Sequence, residues 1–292
     1  MNPLRVGHGA SLDITQKTFN GCKTIYKDAL TVVFGAPFES RAARENGAPS
    51  AIRAESRGME TFSPYLRTDL LDLEINDAGD MDISSLDVIA ALDSIESFCG
   101  KLFDDGKMPV MIGGEHITAC GAVRAAAARW PELAVLHFGS HADLKREHNG
   151  EAFSAFTTMR RIWDIVGDGR IYQFGVRSGS KEEFMWAAEH VRMETECANS
   201  IDSCAEAVIS RPVYITADLG VIDPAELPGA PAPEAGGMTF RSLYDALLSL
   251  RGLDVVGFDI CGLSPASIDS RISTALAYKL LREMLAAFCC WR

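Results

Sequence analysis

Leu133-Ala134-Val135-Leu136-His137-Phe138-Gly139-Ser140-His141-Ala142-Asp143 is the stretch on which the fold turns. Leu133 to Leu136 are apolar without a break, as expected of a strand covered on both faces of a parallel sheet. The run closes on two residues able to ligate a metal, His141 and Asp143. They stand at i and i+2, so extended chain puts both on one side. Open α/β sheets gather their sites at the C-terminal ends of strands. Just before His141 come Gly139 and Ser140, neither a strong ligand. The pattern describes either a metal site built from few residues or one that has lost some.

Outward from this stretch, short apolar runs alternate with helical periodicities. Leu30–Phe34 reads as a strand, and Gly47–Arg53 as a helix start with Pro49 in its first turn. Leu70–Ile75 alternates like an edge strand that Asp77-Ala-Gly-Asp80 ends. Val88, Ile89, Leu92, Ile95, Phe98 and Leu102 mark a helix within 83–107. Pro109–Ile112 is a buried strand running into Gly113-Gly114-Glu115-His116, and Thr118–Arg129 an Ala-rich helix. Further on come a helix at Phe156–Val166, a strand at Arg170–Phe174 and a helix at Lys181–Glu196. Pro212–Ala217 is a strand that delivers Asp218, and a Pro- and Gly-rich loop follows over 224–237. A helix at Phe240–Leu250, a strand at Leu253–Phe258 and a helix at Thr274–Phe288 complete the chain. Alternation of this kind predicts an α/β fold, a three-layer α/β/α sandwich around a mostly parallel sheet. The expected organisation is an N-terminal arm over 1–29 and one domain over 30–292.

The 292 residues are 47% hydrophobic and 23% charged, an ordinary globular balance. A net charge of −12 argues against nucleic-acid and anionic-membrane partners, which need a basic face. No run of about 18 apolar residues occurs, and 1–30 has no signal-like apolar core, so the expected compartment is the cytoplasm. None of the eight cysteines forms a Cys-x-x-Cys pair; they read as reduced core residues, with Cys197 and Cys204 the one candidate pair.

Four candidate ligands follow strand ends: His116, His141, Asp143 and Asp218. Imidazole with carboxylate suits borderline divalent ions such as manganese, nickel, zinc or iron. Gly113-Gly-Glu-His-Ile117, His141-Ala-Asp143 and Asp218-Leu-Gly-Val-Ile-Asp-Pro224 resemble, in order and spacing, the three signatures of the ureohydrolases: arginase, agmatinase and guanidinobutyrase. Flanking runs are similarly agmatinase-like, among them Gly47-Ala-Pro-Ser-Ala-Ile-Arg53, Asp77-Ala-Gly-Asp80, Gly175-Val-Arg-Ser178 and Pro233-Glu-Ala-Gly-Gly237. The likeness covers roughly residues 30–290. It implies an arginase-like fold, assembly in trimers or hexamers, and, in active members, two metal ions that activate a bridging hydroxide for attack on a guanidinium carbon, releasing urea.

Against that resemblance four positions depart. The second signature reads Asp-Ala-His-x-Asp in the family, and its first, bridging Asp falls on Gly139; the third reads Asp-x-Asp, and its second Asp falls on Gly220. A proton-shuttling His falls on Phe156, and the Glu that holds the guanidinium falls on Gly262. What remains is His116, Asp143 and Asp218 toward one ion, with His141 and a shared Asp218 toward the other. Two dications so poorly balanced would leave uncompensated charge. The expectation is no metal in this chain, or one weakly bound manganese or nickel ion held by His116, Asp143 and Asp218.

Within the family, metformin hydrolase joins an active nickel subunit to one that lacks metal ligands, and this chain resembles the latter. The resemblance implies a non-catalytic partner of an active, metal-bearing paralogue in a hetero-oligomer, with a guanidine-type molecule at the paralogue's site. Two alternatives stand beside it: an active mononuclear amidinohydrolase of agmatinase type, since three ligands and an open position suffice for catalysis, and a stand-alone binder of a small ligand. Cys289-Cys290-Trp291-Arg292 is read either as a tail on its own domain or as a contact with a neighbour.

Overall fold

Alternating side chains along each central strand bury two separate apolar layers, and that requirement sets the architecture. In the computed structural model, which describes residues 12–13, 18–39, 47–195, 197–264 and 270–289, the strands are β1 (Leu12–Asp13), β2 (Thr31–Ala36), β3 (Phe62–Ser63), β4 (Thr68–Asp69), β5 (Ile75–Met81), β6 (Met108–Gly113), β7 (Ala134–Phe138), β8 (Ile171–Val176), β9 (Arg192–Thr195), β10 (Pro212–Asp218) and β11 (Asp254–Cys261). The helices are α1 (Ala48–Ser56), α2 (Val88–Asp104), α3 (Ala119–Arg129), α4 (Thr158–Val166), α5 (Lys181–His190), α6 (Ile201–Val208), α7 (Phe240–Ser249) and α8 (Ser270–Phe288).

Nine strands form one sheet in the order β1-β5-β2-β6-β11-β10-β7-β8-β9. β1 is antiparallel to β5, and the other pairings are parallel. Val33, Val110, Ile112 and Leu136 face a core shared with α1, α6, α7 and α8. Val32, Phe34, Met111 and Val135 face the opposite core, shared with α2, α3 and α4. Each such side chain, fully buried, contributes about 1.5–3 kcal/mol. Gly121 brings α3 close to α2: a Cβ there would lie 2.7 Å from the Leu92 carbonyl oxygen. The three-layer α/β/α expectation holds, and no described helix is long and apolar enough to cross a membrane.

Several local expectations change. Leu70–Ile75 is not an edge strand: Leu70–Asp72 is a single 3-10 turn, capped by the Asp69 carboxylate accepting from Leu71 N. The strand is β5, inside the sheet, and it contains the Asp77-Ala-Gly-Asp80 run read as its end. Those aspartates tolerate burial because Arg53 neutralises them. Arg53 Nε donates to Asp77 Oδ2 at 2.7 Å and Nη2 to Asp77 Oδ1 at 2.9 Å, while Nη1 pairs with Asp80. The helix expected over Lys181–Glu196 stops at His190, where Val191 turns extended and starts the edge strand β9; Glu196 lies outside the described residues. Cys197 and Cys204 are free thiols.

The segment from residue 18 packs into the domain. Phe19 and Cys22 are buried, and Phe19 N donates to Asp77 Oδ2 at 2.7 Å. Most of the expected arm (1–11 and 14–17) and Cys290-Trp291-Arg292 lie outside the described residues.

Candidate metal centre and pocket

Four adjacent strands, in the order β6-β11-β10-β7, end side by side and deliver every expected site residue to one edge of the sheet. β6 runs into Gly113-Gly114 and a 3-10 turn that buries His116. Asp218 closes β10, and Gly262 follows β11. After β7, chain 140–142 stays extended beside 175–178: Arg177 N and Ser178 N donate to Ser140 O, and Ala142 N donates to Ser178 O. Asp143 then turns left-handed at φ 53°, an uncommon conformation for a residue other than glycine. Arg160 N holds it by donating to Asp143 O at 3.1 Å.

That turn aims the Asp143 carboxylate at His116. Asp143 Oδ2 lies 2.9 Å from His116 Nδ1, and Asp218 Oδ2 lies 4.0 Å from the same nitrogen. Thr216 Oγ1 donates to Asp259 Oδ1 at 2.8 Å, so at 3.3 Å it accepts from His116 Nε2. His116 satisfies both contacts when both ring nitrogens carry protons. Burial disfavours its charge, but the hydrogen bond and charge of Asp143, with Asp218 and Asp259, outweigh burial and raise its pKa. Burial and the neighbouring Asp143 raise Asp218, with His116 opposing. Asp259 is pushed up to about 6, chiefly by burial.

His137, which sequence reading passed over, joins this group. Candidate ligand atoms of His116, His137 and Asp143 lie within 4.8 Å of one another, and the two imidazoles stack at 4.9 Å. The signal was available: His137 and Gly139 stand at i and i+2 on the strand, so they share a side. A Cβ at Gly139 would lie 2.2 Å from His137 Nε2, so the imidazole fills the place of a side chain there. Its protonation follows from Gln173, whose Nε2 donates to Ala142 O at 2.9 Å and lies 3.0 Å from His137 Nδ1. An amide nitrogen only donates, so His137 Nδ1 accepts and Nε2 carries the proton. That N–H has no hydrogen-bond partner, and burial drives the His137 pKa well down. A metal-ligating histidine normally donates through its other nitrogen; His137 is set the opposite way.

His141 does not reach the cluster. Its Nδ1 lies 2.9 Å from Ser140 Oγ, and its Nε2 faces Glu234 Oε1 at 3.7 Å. Phe156 lines the pocket, edge-on to His141 at 6.1 Å and against the His148 ring at 4.3 Å. His148 is not among the residues that line the cavity. Gly220 and Gly262 face one oxygen: their Cβ atoms would lie 2.9 and 2.6 Å from Asp218 Oδ1. Gly262 also sits at φ 75°, which strains any larger residue.

Two divalent ions do not fit these donors. Among the retained residues only Asp143 and Asp218 supply carboxylates to the cluster, His141 is turned to Ser140 and Glu234, and His137 presents a proton where a lone pair is needed. A single ion could be held by His116, Asp143 and Asp218 only by displacing the proton between His116 and Asp143. The cavity is about 360 Å³, and its lining includes His116, His141, Asp143, Phe156 and Asp218.

The model of the arginase family matches residues 29–287. An agmatinase of Bacillus anthracis is 35% identical over 277 residues, covering 92% of this chain and 95% of the relative. An agmatinase of Bacillus subtilis is 34% identical over 280 residues, covering 93% and 96%. The crystal structure of agmatine ureohydrolase of Thermoplasma volcanium superposes with a TM-score of 0.84 at 32% identity, covering 92% of this chain and 93% of that one.

Proposed function

Because the chain belongs to the arginase family and is agmatinase-like, we propose that it is a non-catalytic ureohydrolase subunit. In this reading it completes a hetero-oligomer with an active, metal-bearing member of the family, the arrangement that metformin hydrolase exemplifies. The partner's site takes the guanidine- or amidine-type substrate. One observation carries the proposal: the position of the bridging carboxylate is Gly139, and the space beside it is filled by the protonated Nε2 of His137. Loss of an acid–base group alone lowers a rate by about 10²–10⁴-fold. Here the shuttle position (Phe156), the guanidinium anchor (Gly262) and two ligand positions depart together, and the space beside them has been repacked.

A second reading has its own support. His116, His137 and Asp143 cluster tightly enough to hold an ion, and the similar proteins named above are agmatinases by name. On that reading this chain is a single-metal hydrolase of agmatinase type, in which one bound manganese or nickel ion would activate water.

The purified chain, loaded with Mn²⁺ or Ni²⁺ and repurified, separates the two by urea release from agmatine and 4-guanidinobutyrate. The expected result is no release by this chain alone, and recovery from its native source together with a paralogue that carries the complete Asp-Ala-His-x-Asp and Asp-x-Asp signatures. Urea release that tracks a bound ion through repurification would establish the second reading instead.

A further inference from the structure

A separate cavity of about 290 Å³ lies between chain 144–147, Arg160 of α4 and the start of α5. It shares no lining residue with the strand-end pocket. Arg160 lines it and is only 8% exposed. The guanidinium carbon stands 4.2 Å from the Trp186 ring centroid and 5.0 Å from that of Trp163. Stacking covers the faces of a guanidinium and leaves its N–H edges to acceptors in its plane. Arg160 Nε finds no such acceptor among the described residues: it is buried, and Asp164 Oδ1 stands 4.0 Å away. Asp164 turns its other oxygen to Arg161 Nη2 at 3.3 Å.

Two more cations line the cavity, Lys145 and Arg146. Lys145 is half-buried, with Nζ 5.2 Å from the centre of the Phe156 ring, and Arg146 is exposed. Three carboxylates also border it. Glu183, the buried one, spends both oxygens on backbone: Oε1 accepts from Leu144 N at 2.9 Å and Oε2 from Ser180 N at 2.8 Å. Glu147 and Glu182 are exposed, where solvent and salt screen their charge. A buried cation with an unused donor is costly, and burial lowers the Arg160 pKa against the pull of Asp164. An oxyanion would supply in-plane acceptors and a charge-assisted pair.

We propose that this cavity binds a small oxyanion, the carboxylate or phosphate group of a ligand, with Arg160 as the buried anchor and Lys145 and Arg146 as outer cations. The site stands apart from the reading of the strand-end residues, whether catalytic or not. Backbone joins the two: Arg160 N donates to Asp143 O at 3.1 Å, and the cavity lining begins at Leu144. Occupancy would brace the turn that aims Asp143 at His116.

The test is an NMR titration of the full-length chain with inorganic phosphate and, separately, acetate, at ionic strength matched with sodium chloride. The Trp186 indole and the Arg160 Nε–H signals report on the cavity. At least one anion is expected to move both signals saturably with a common midpoint, and the tighter of the two identifies the oxyanion class. In Arg160→Gln the affinity read at Trp186 is expected to fall about tenfold or more, and in Arg146→Gln about threefold. Equal affinity in Arg160→Gln would overturn the proposal. Signals that follow ionic strength alone, with neither anion saturating, would also overturn it. Should Arg160→Gln fail to fold, the Arg160 Nε–H signal of the unaltered chain decides: an anion that moves Trp186 and leaves that signal in place binds elsewhere.

Discussion

Two buried charge networks lie on the same sheet and are finished to different degrees. Around β5, Arg53 is held by Asp77, Asp80 and the Gly79 carbonyl through four hydrogen bonds, and its exposure is only 2%. Beside the ends of β7 and β8, the buried Nε2 of His137 and Oε1 of Gln173 lack hydrogen-bond partners. A well-partnered network fixes a scaffold; one that leaves buried polar atoms without partners is high in energy. The first network ties α1 to the sheet and has stayed complete. The second has kept its position and lost its completeness, so the sequence preserves the platform more faithfully than the metal chemistry.

The largest effect expected from this contrast is at Arg53. Arg53→Met leaves two buried aspartates uncompensated and is expected to cost about 3–5 kcal/mol, read as a lower urea midpoint. A smaller loss there would mean the network is not the scaffold's anchor.

Next in size is the attempt to reverse the erosion. Gly139→Asp drives a side chain into the His137 ring and is expected to destabilise by about 1–3 kcal/mol. The combined Gly139→Asp, Gly220→Asp, Phe156→His and Gly262→Glu chain is expected to release no urea, because Gly262 sits at φ 75° and His137 still occupies the bridging position. Urea release by that chain would show that only the side chains, and not their surroundings, have changed.

The smallest effect depends on pH. His116 has a raised pKa in the folded chain, so it binds its proton more tightly folded than unfolded. Its pair with Asp143 therefore stabilises fully below the ordinary histidine value, and that stability is lost as pH rises through the raised folded value. Urea unfolding of the parent and His116→Gln should differ at pH 5, by about 1.5–3 kcal/mol for a charged hydrogen bond, and converge at high pH. A gap that widens with pH would contradict the assignment.

Much of this was legible in the sequence, and the exceptions have physical reasons. The apolar run at 133–136 located β7, and His116, Asp143 and Asp218 arrived at neighbouring strand ends as spacing and resemblance implied. Asp77 and Asp80 resemble a strand's end in sequence because residue type says nothing of a guanidinium contributed from α1. The helix expected to run to Glu196 ended at His190 because a short edge strand has little periodicity to show. His137 escaped notice because its role depends on Gln173 of β8, distant in sequence and adjacent only in the sheet. The direction of His141, toward Glu234, likewise depends on the loop after β10.

Metal stoichiometry tests the central claim most directly. The purified chain is equilibrated with Mn²⁺ or Ni²⁺, freed of excess ion, and its bound metal counted by elemental analysis. Fewer than one ion per chain is expected, because His137 presents a proton and His116 is paired with Asp143. Two ions per chain, retained through repurification, would contradict it.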